Sequence, residues 1–266
     1  MSEGSPASVV SVDLGWSEST RGRNAAAFLT RAGRIRFEQS LPNANPALAA
    51  WVRGRVAAGG TVLLDIPIGG GDHLAATGKA FREIDGALQG AGLPLYPSSR
   101  AVGRGGALSR LLPGYRVREI YPYAILRVLW ALHETGRLAS AIGGSDGAWL
   151  DASAWRVLPP RYKRGTPGVK RRGLEAIHGL LTSRALALPF ELELPRPVRG
   201  VSLAALSDLY DACLGLVPAW LAARHGMHPM VGIAAGRHGE ALLLLADAWL
   251  RARLGRSVRW VPFRVE

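Results

Sequence analysis

Val9-Val10-Ser11-Val12-Asp13-Leu14 (VVSVDL, residues 9–14) is a short run rich in β-branched side chains that carries a carboxylate near its end. Such a run fits a buried first strand, because branched side chains pack well on a pleated surface. Working outward, Ala25–Thr30 and Arg34–Gln39 flank Arg31-Ala32-Gly33, a hairpin turn in which Gly33 takes the positive φ angle. A meander of three antiparallel strands is therefore expected to open the chain.

Asn45-Pro46 has the form of an N-cap followed by proline at the first helical position, which predicts a helix through Trp51 to about Ala58, stopped by Gly59-Gly60. Thr61–Ile68 (TVLLDIPI) is a second buried strand, closed by Pro67 and by the flexible turn of Gly69, Gly70 and Gly71. A helix over Thr77–Gln89 and an irregular stretch from Gly92 to Gly106 follow. Tyr115–Tyr121 (YRVREIY) is a third core strand blocked by Pro122, and Tyr123–Thr135 has helical spacing. Ala139–Pro160, rich in Gly, Ser, Asp and Trp, is expected to be an insertion or an ordered lid. Helices are expected at Lys170–Arg184, Leu203–Ala223 and Glu240–Leu254, with a last strand near Val258–Phe263. This order predicts one α/β domain over residues 1–266, with a mixed sheet. Right-handed crossovers would set the Thr61 strand beside the first, so that their carboxyl ends share the sheet edge where ligands bind in open α/β folds.

The chain has 266 residues, a net charge of +13 and only three lysines, Lys79, Lys163 and Lys170, so arginine carries nearly all the positive charge. Arginine grips phosphate with paired hydrogen bonds, which points to nucleic acid as a partner. The competing explanation is a coding bias toward Arg and Ala. One cysteine, Cys213, excludes an internal disulfide and a cysteine metal cluster, and suits a reducing cytoplasm. Met1–Ser8 is small and polar, unlike a secretory leader. The apolar run Ala241–Leu250 is interrupted by Asp247 and is shorter than the roughly 20 residues of a membrane span, so no membrane association is expected.

Carboxylates stand where the strand and helix patterns call for apolar residues. These are Asp13 in VVSVDLGW, Asp65 in VLLDIPIG, Glu119 in VREIYP, and Asp208 and Asp211 three apart on one helix face. Burying them together is costly without a compensating cation. Oxygen ligands without matching Cys or His spacing favour Mg²⁺ or Mn²⁺ over zinc. Each residue also has a structural reading. Asp13 could cap a turn, Asp65 could bond backbone amides, Glu119 could pair with Arg116 or Arg118, and Asp208 could be an exposed helix residue. The six histidines show no metal spacing, no nucleophile elbow is present, and no P-loop lysine follows the glycine run.

The elements VDLGW, LDIPIG, REIYPYA, RYKRG and SDLYDA, in this order between about Val9 and Leu221, resemble the domain of unknown function 429 family. Its members are described as predicted nucleases with a ribonuclease-H-like fold. The resemblance implies that Asp13 is a first-strand metal ligand, Asp65 the second-strand carboxylate and Glu119 the glutamate before Tyr-Pro. It also implies that Lys163 is a loop lysine and that Asp208 and Asp211 form the closing acidic helix. Ser207 stands where the family commonly has a second aspartate, and Asp72 and Arg82 are candidates for its Arg and Asp after the second strand.

The expected activity is metal-dependent hydrolysis of phosphodiester bonds. Asp13, Asp65, Glu119 and Asp211 would hold Mg²⁺ or Mn²⁺, Asp208 would assist, and Lys163, Arg161 and Arg164 would grip phosphate. A non-catalytic nucleic-acid-binding or assembly module on the same fold is the alternative. A phosphotransferase or ATPase of related architecture is a third, for which the chain is short.

Overall fold

The computed structural model describes residues 6–15, 18, 24–93, 103–144, 149–245, 247–256 and 258–265. Eight strands form one mixed sheet in the order β3-β2-β1-β4-β5-β7-β6-β8. Strands β1 (Ala7–Asp13), β2 (Ala25–Leu29) and β3 (Ile35–Gln39) make the expected antiparallel meander. Strand β4 (Val56–Leu64) runs parallel to β1, and β5 (Arg116–Ile120) parallel to β4.

Alternation along β1 sorts the two faces of the sheet. Val10 and Val12 belong to an apolar layer with helices α1 (Asn45–Arg55) and α4 (Arg104–Arg110), together with Phe28, Val62 and Leu64. Val9 belongs to the other layer with Ala27, Leu63 and Ile120. That second layer is built on α8 (Leu203–His225), a helix buried almost all round from Leu206 to Ala222, as a helix enclosed between a sheet and other helices must be. Helix α8 lies across β1, β2 and β3, with α5 (Pro122–Glu134) and α7 (Pro167–Leu181) packed against it.

Several expectations are corrected. The first helix ends at Arg55 because Val56 pairs with Ala7 of β1, so tertiary pairing overrides helical pattern. The glycine run is not a loose turn but opens helix α2 (Gly70–Thr77), and the helix expected over Thr77–Gln89 is confined to α3 (Glu83–Gly90). The tail helix begins only at α9 (Ala248–Arg253). The preceding Gly239–Leu244 is strand β7, hairpinned with β6 (Val231–Gly236), which also pairs with β8 (Arg259–Pro262). A short apolar run such as Leu242–Leu245 fits a buried strand as well as a helix. Of the irregular stretch expected from Gly92 to Gly106, residues 94–102 lie outside the described residues.

The segment expected as an insertion or lid contains α6 (Leu138–Ile142) and packs into the core through Trp149, Leu150, Ala154 and Trp155. Arg127 of α5 stacks its guanidinium on the Trp155 ring at 4.4 Å, and the Asp247 carboxylate accepts the Leu150 amide at 2.7 Å. Residues 145–148 lie outside the described residues. No described helix is long and apolar enough to cross a membrane.

Candidate metal centre

Strand register brings the first two carboxylates together. Val12 pairs with Leu64, so Asp13 and Asp65 follow side by side at the carboxyl ends of parallel strands, and the Asp65 amide donates to the Val12 carbonyl at 3.0 Å. This is where strand order reverses, with β2 and β3 on one side of β1 and β4 and β5 on the other. Asp13 continues the row Val9, Ser11 on the face covered by α8. Helix α8 is held close there by Gly215, where any Cβ would overlap the Ile120 side chain and Ser11 Oγ. Asp211, one turn earlier on α8, thereby sits over Asp13.

Asp13, Asp65 and Asp211 each offer an oxygen within 4.8 Å of the others, and among the described residues no other group of three carboxylate, His or Cys ligands does so. Asp13 and Asp211 are buried and Asp65 is half-buried. Burial, then Asp211, Asp65 and Asp208, push the Asp13 carboxyl well above its usual range against the pull of Lys163. Burial also raises Asp65, to about 7, opposed by Lys163 and reinforced by Asp211. A side-chain hydrogen bond from Asp13 offsets part of the rise at Asp65.

Lys163 Nζ forms an ion pair with Asp211 Oδ2, and the Tyr162 hydroxyl donates to Asp211 Oδ1 at 2.7 Å. Burial opposes the Lys163 charge, but attraction to Asp211, Asp13 and Asp65 outweighs it and raises the ammonium pKa. The lysine side chain is nonetheless 41% exposed, so its stem reaches down from the mouth of the site. The 161–163 segment passes close over α7 because Gly173 has no side chain to strike the Arg161 carbonyl. The acidic cluster floors a cavity of about 580 Å³ walled by Pro67, Tyr121, Pro122, Tyr123 and Tyr162, with Arg161, Lys163 and Arg164 around it. No described residue of the 139–160 segment lines it.

Asp208 is half-buried one turn before Asp211 and acts on Asp13 through its charge, outside the three-oxygen set. Glu119 is the correction. Its register partner is Leu64, one residue short of Asp65, so strand alternation turns it away from the face on which Ile120 meets α8. There Arg82 binds both Glu119 oxygens, Nη1 to Oε1 at 2.6 Å and Nη2 to Oε2 at 2.8 Å. Neither Arg116 nor Arg118 is the partner; Arg118 pairs with Glu240. Asp85 takes the remaining edge of Arg82 at 2.8 and 3.0 Å, and the Tyr121 hydroxyl donates to Glu119 Oε2 at 2.9 Å. Glu119 Oε1 also accepts the amides of Ile68 and Gly69, at 2.6 and 3.3 Å. Glu119 thus fastens the loop that follows Asp65. Asp72 takes no part in that network and lines a separate shallow groove.

Sequence reasoning missed five supporting residues. Tyr162 precedes Lys163 but carries no motif of its own, and Asp85 reads as an ordinary first-turn acid of α3. Tyr121 links the Glu119 network to the cavity wall. Arg104, buried, donates to the carbonyls of Gly15 and Asn43, while Asn24 Oδ1 accepts the Gly15 amide at 2.9 Å, so the turn after Asp13 is pinned from two sides. No family model, no curated protein and no solved structure matches this chain.

Proposed function

We propose that the protein is a metal-dependent nuclease that hydrolyses phosphodiester bonds at the Asp13–Asp65–Asp211 cluster. The observation that carries this reading is the convergence of three carboxylate oxygens within 4.8 Å of one another, with Asp13 and Asp211 buried. The donor set is all oxygen, which suits Mg²⁺ or Mn²⁺. Burial and neighbouring carboxylates raise Asp13 and Asp65 above the usual carboxylate range, which supports a site that a divalent cation would relieve. When bound there, such an ion would lower the pKa of attacking water and stabilise the leaving oxygen.

The chain's own residues would do the rest. Asp13, Asp65 and Asp211 would hold the ion, and Tyr162 orients Asp211 through its hydroxyl. Lys163, released from Asp211, would meet a non-bridging phosphate oxygen, with Arg161 and Arg164 guiding the backbone into the cavity. The succession of three antiparallel strands and then parallel strands is consistent with a ribonuclease-H-like sheet. The ion pair of Lys163 with Asp211 favours a second reading, a nucleic-acid-binding module without turnover, because the lysine already neutralises part of the cluster.

The test is calorimetric titration with Mn²⁺ and Mg²⁺ of the wild type and of Asp13→Asn/Asp65→Asn, followed by incubation with single- and double-stranded DNA and RNA. Metal uptake by the wild type alone, with cleavage that depends on it, is expected. No metal uptake by the wild type, with or without nucleic acid, would leave the binding module.

A further inference from the structure

We infer that the site takes a single divalent cation, and that the Lys163 ammonium holds the place a second one would need. This rests on the metal-centre reading above, and it adds the number of ions and the residue that limits it. Two ions that act on one phosphate stand about 3.5–4 Å apart, a separation usually spanned by a carboxylate with both oxygens given to metal. Asp211 lacks that freedom. Its Oδ1 accepts the Tyr162 hydroxyl at 2.7 Å, and its Oδ2 is held in the ion pair with Lys163. Glu119, the fourth carboxylate expected in the site, gives both oxygens to Arg82. Asp208 stands outside the converging set. One oxygen from each of Asp13, Asp65 and Asp211 is a donor set for one ion, with water completing its shell.

The lysine is seated by more than its ion pair. Its Nζ lies 5.9 Å from the centre of the Tyr162 ring, so one buried tyrosine contacts both halves of the pair. The segment that carries it is fixed by its close passage over Gly173. Charge agrees with the ligand count. With Asp13, Asp65 and Asp211 ionised, the ammonium and one divalent ion bring these groups to neutrality. A second divalent ion would have to sit against the ammonium and would leave excess positive charge at a largely buried site. The ammonium instead flanks the substrate phosphate on that side, offering charge-assisted hydrogen bonds where a second ion would offer coordination.

The experiment is Mn²⁺ titration of the full chain at about pH 8, where carboxylates are free to bind metal. Ions are counted by calorimetry and their spacing is read by electron paramagnetic resonance. The wild type is expected to take up one ion per chain, with the spectrum of an isolated Mn²⁺. Lys163→Glu puts a carboxylate where the ammonium stood. It should take up a second ion at least about tenfold more tightly than any the wild type binds, with the exchange coupling of a close pair. Lys163→Met opens the same place without supplying a ligand and should admit the second ion more weakly, which keeps the test decisive if the glutamate variant folds poorly. Lys163→Arg should keep the count at one. Two coupled ions in the wild type overturn the inference and leave the metal centre standing. A single ion in both Lys163→Glu and Lys163→Met also overturns it, because the lysine then holds no second place. No uptake by the wild type overturns it together with the metal-centre reading.

Discussion

Two buried charge clusters flank the end of β4, and they are built on opposite principles. Around Arg82, the two carboxylates Asp85 and Glu119 face one guanidinium, and backbone amides and the Tyr121 hydroxyl fill what the arginine leaves. Burial works against the Arg82 charge, yet the bonds to Glu119 and Asp85 hold its proton more tightly than usual. Around Asp211, three carboxylates face one ammonium, and burial raises Asp13 and Asp65 above the usual carboxylate range. A cluster whose bonds are satisfied within the chain is structural. One with three carboxylates against a single ammonium, at the bottom of a cavity, is a cluster that could hold a cation.

The largest expected effect breaks the balanced cluster. Arg82→Met leaves Asp85 and Glu119 buried without their cation and should cost about 3–5 kcal/mol in urea unfolding. Glu119 also holds the amides of Ile68 and Gly69, so the Asp65 loop should loosen at the same time, read as weaker Mn²⁺ affinity. Unchanged stability in Arg82→Met would show that the network does not hold the fold.

The unbalanced cluster should respond in the opposite sense. In the folded protein Asp65 titrates at about 7 instead of 3.8, so without metal the native state binds more protons than the unfolded chain between those values. The contribution of Asp65 to the stability of the metal-free protein should therefore be full below about pH 4 and be lost as pH rises toward 7, and the raised Asp13 extends the decline further. Asp65→Asn should flatten this slope and stabilise the metal-free protein near pH 8 by about 1–2 kcal/mol, while abolishing metal uptake. Metal affinity of the wild type should rise with pH over the same window, because a carboxylate must be deprotonated to hold the ion. A metal-free stability that climbs from pH 4 to 7 would contradict the assignment.

Gly215 is where packing sets the geometry of the second cluster. Gly215→Ala must push α8 from Ser11 and Ile120, at about 1–3 kcal/mol. Because Asp211 rides on the same helix, Mn²⁺ affinity should fall more than in a control substitution of equal stability cost elsewhere on α8.

How far the sequence disclosed this arrangement depends on whether a feature is periodic or contingent. The meander, the parallel placement of β4 beside β1 and the pairing of Asp13 with Asp65 follow from strand patterns and crossover handedness. Asp211 stands out as a carboxylate in apolar company, whereas Lys163 is pointed to only by the family resemblance. Glu119 was misplaced because a shift of one residue in register turns a side chain to the other face, and no local pattern fixes that register. Arg82 stands just before the eight-residue helix that carries Asp85, its other partner Glu119 is 37 positions away, and nothing local marks an arginine that will be buried. The β6–β7 hairpin was hidden by Leu242–Leu245, a run too short to distinguish strand from helix.

The smallest effect sharpens the comparison most, because it asks whether Lys163 balances its cluster or serves a substrate. Lys163→Met removes the ammonium from Asp211 and leaves the three carboxylates facing only one another and the Tyr162 hydroxyl. If the lysine is a counterion that metal displaces, Mn²⁺ should bind about tenfold more tightly to the variant, some 1.4 kcal/mol. The figure is held down by the lysine's 41% exposure, which screens the pair. A gain in metal affinity with a loss of nucleic-acid affinity would give Lys163 both parts, counterion in the free protein and phosphate ligand in the complex. Metal affinity that falls instead would mean that the ammonium orders Asp211 for the ion, and the two clusters would then differ in ligand access but not in principle.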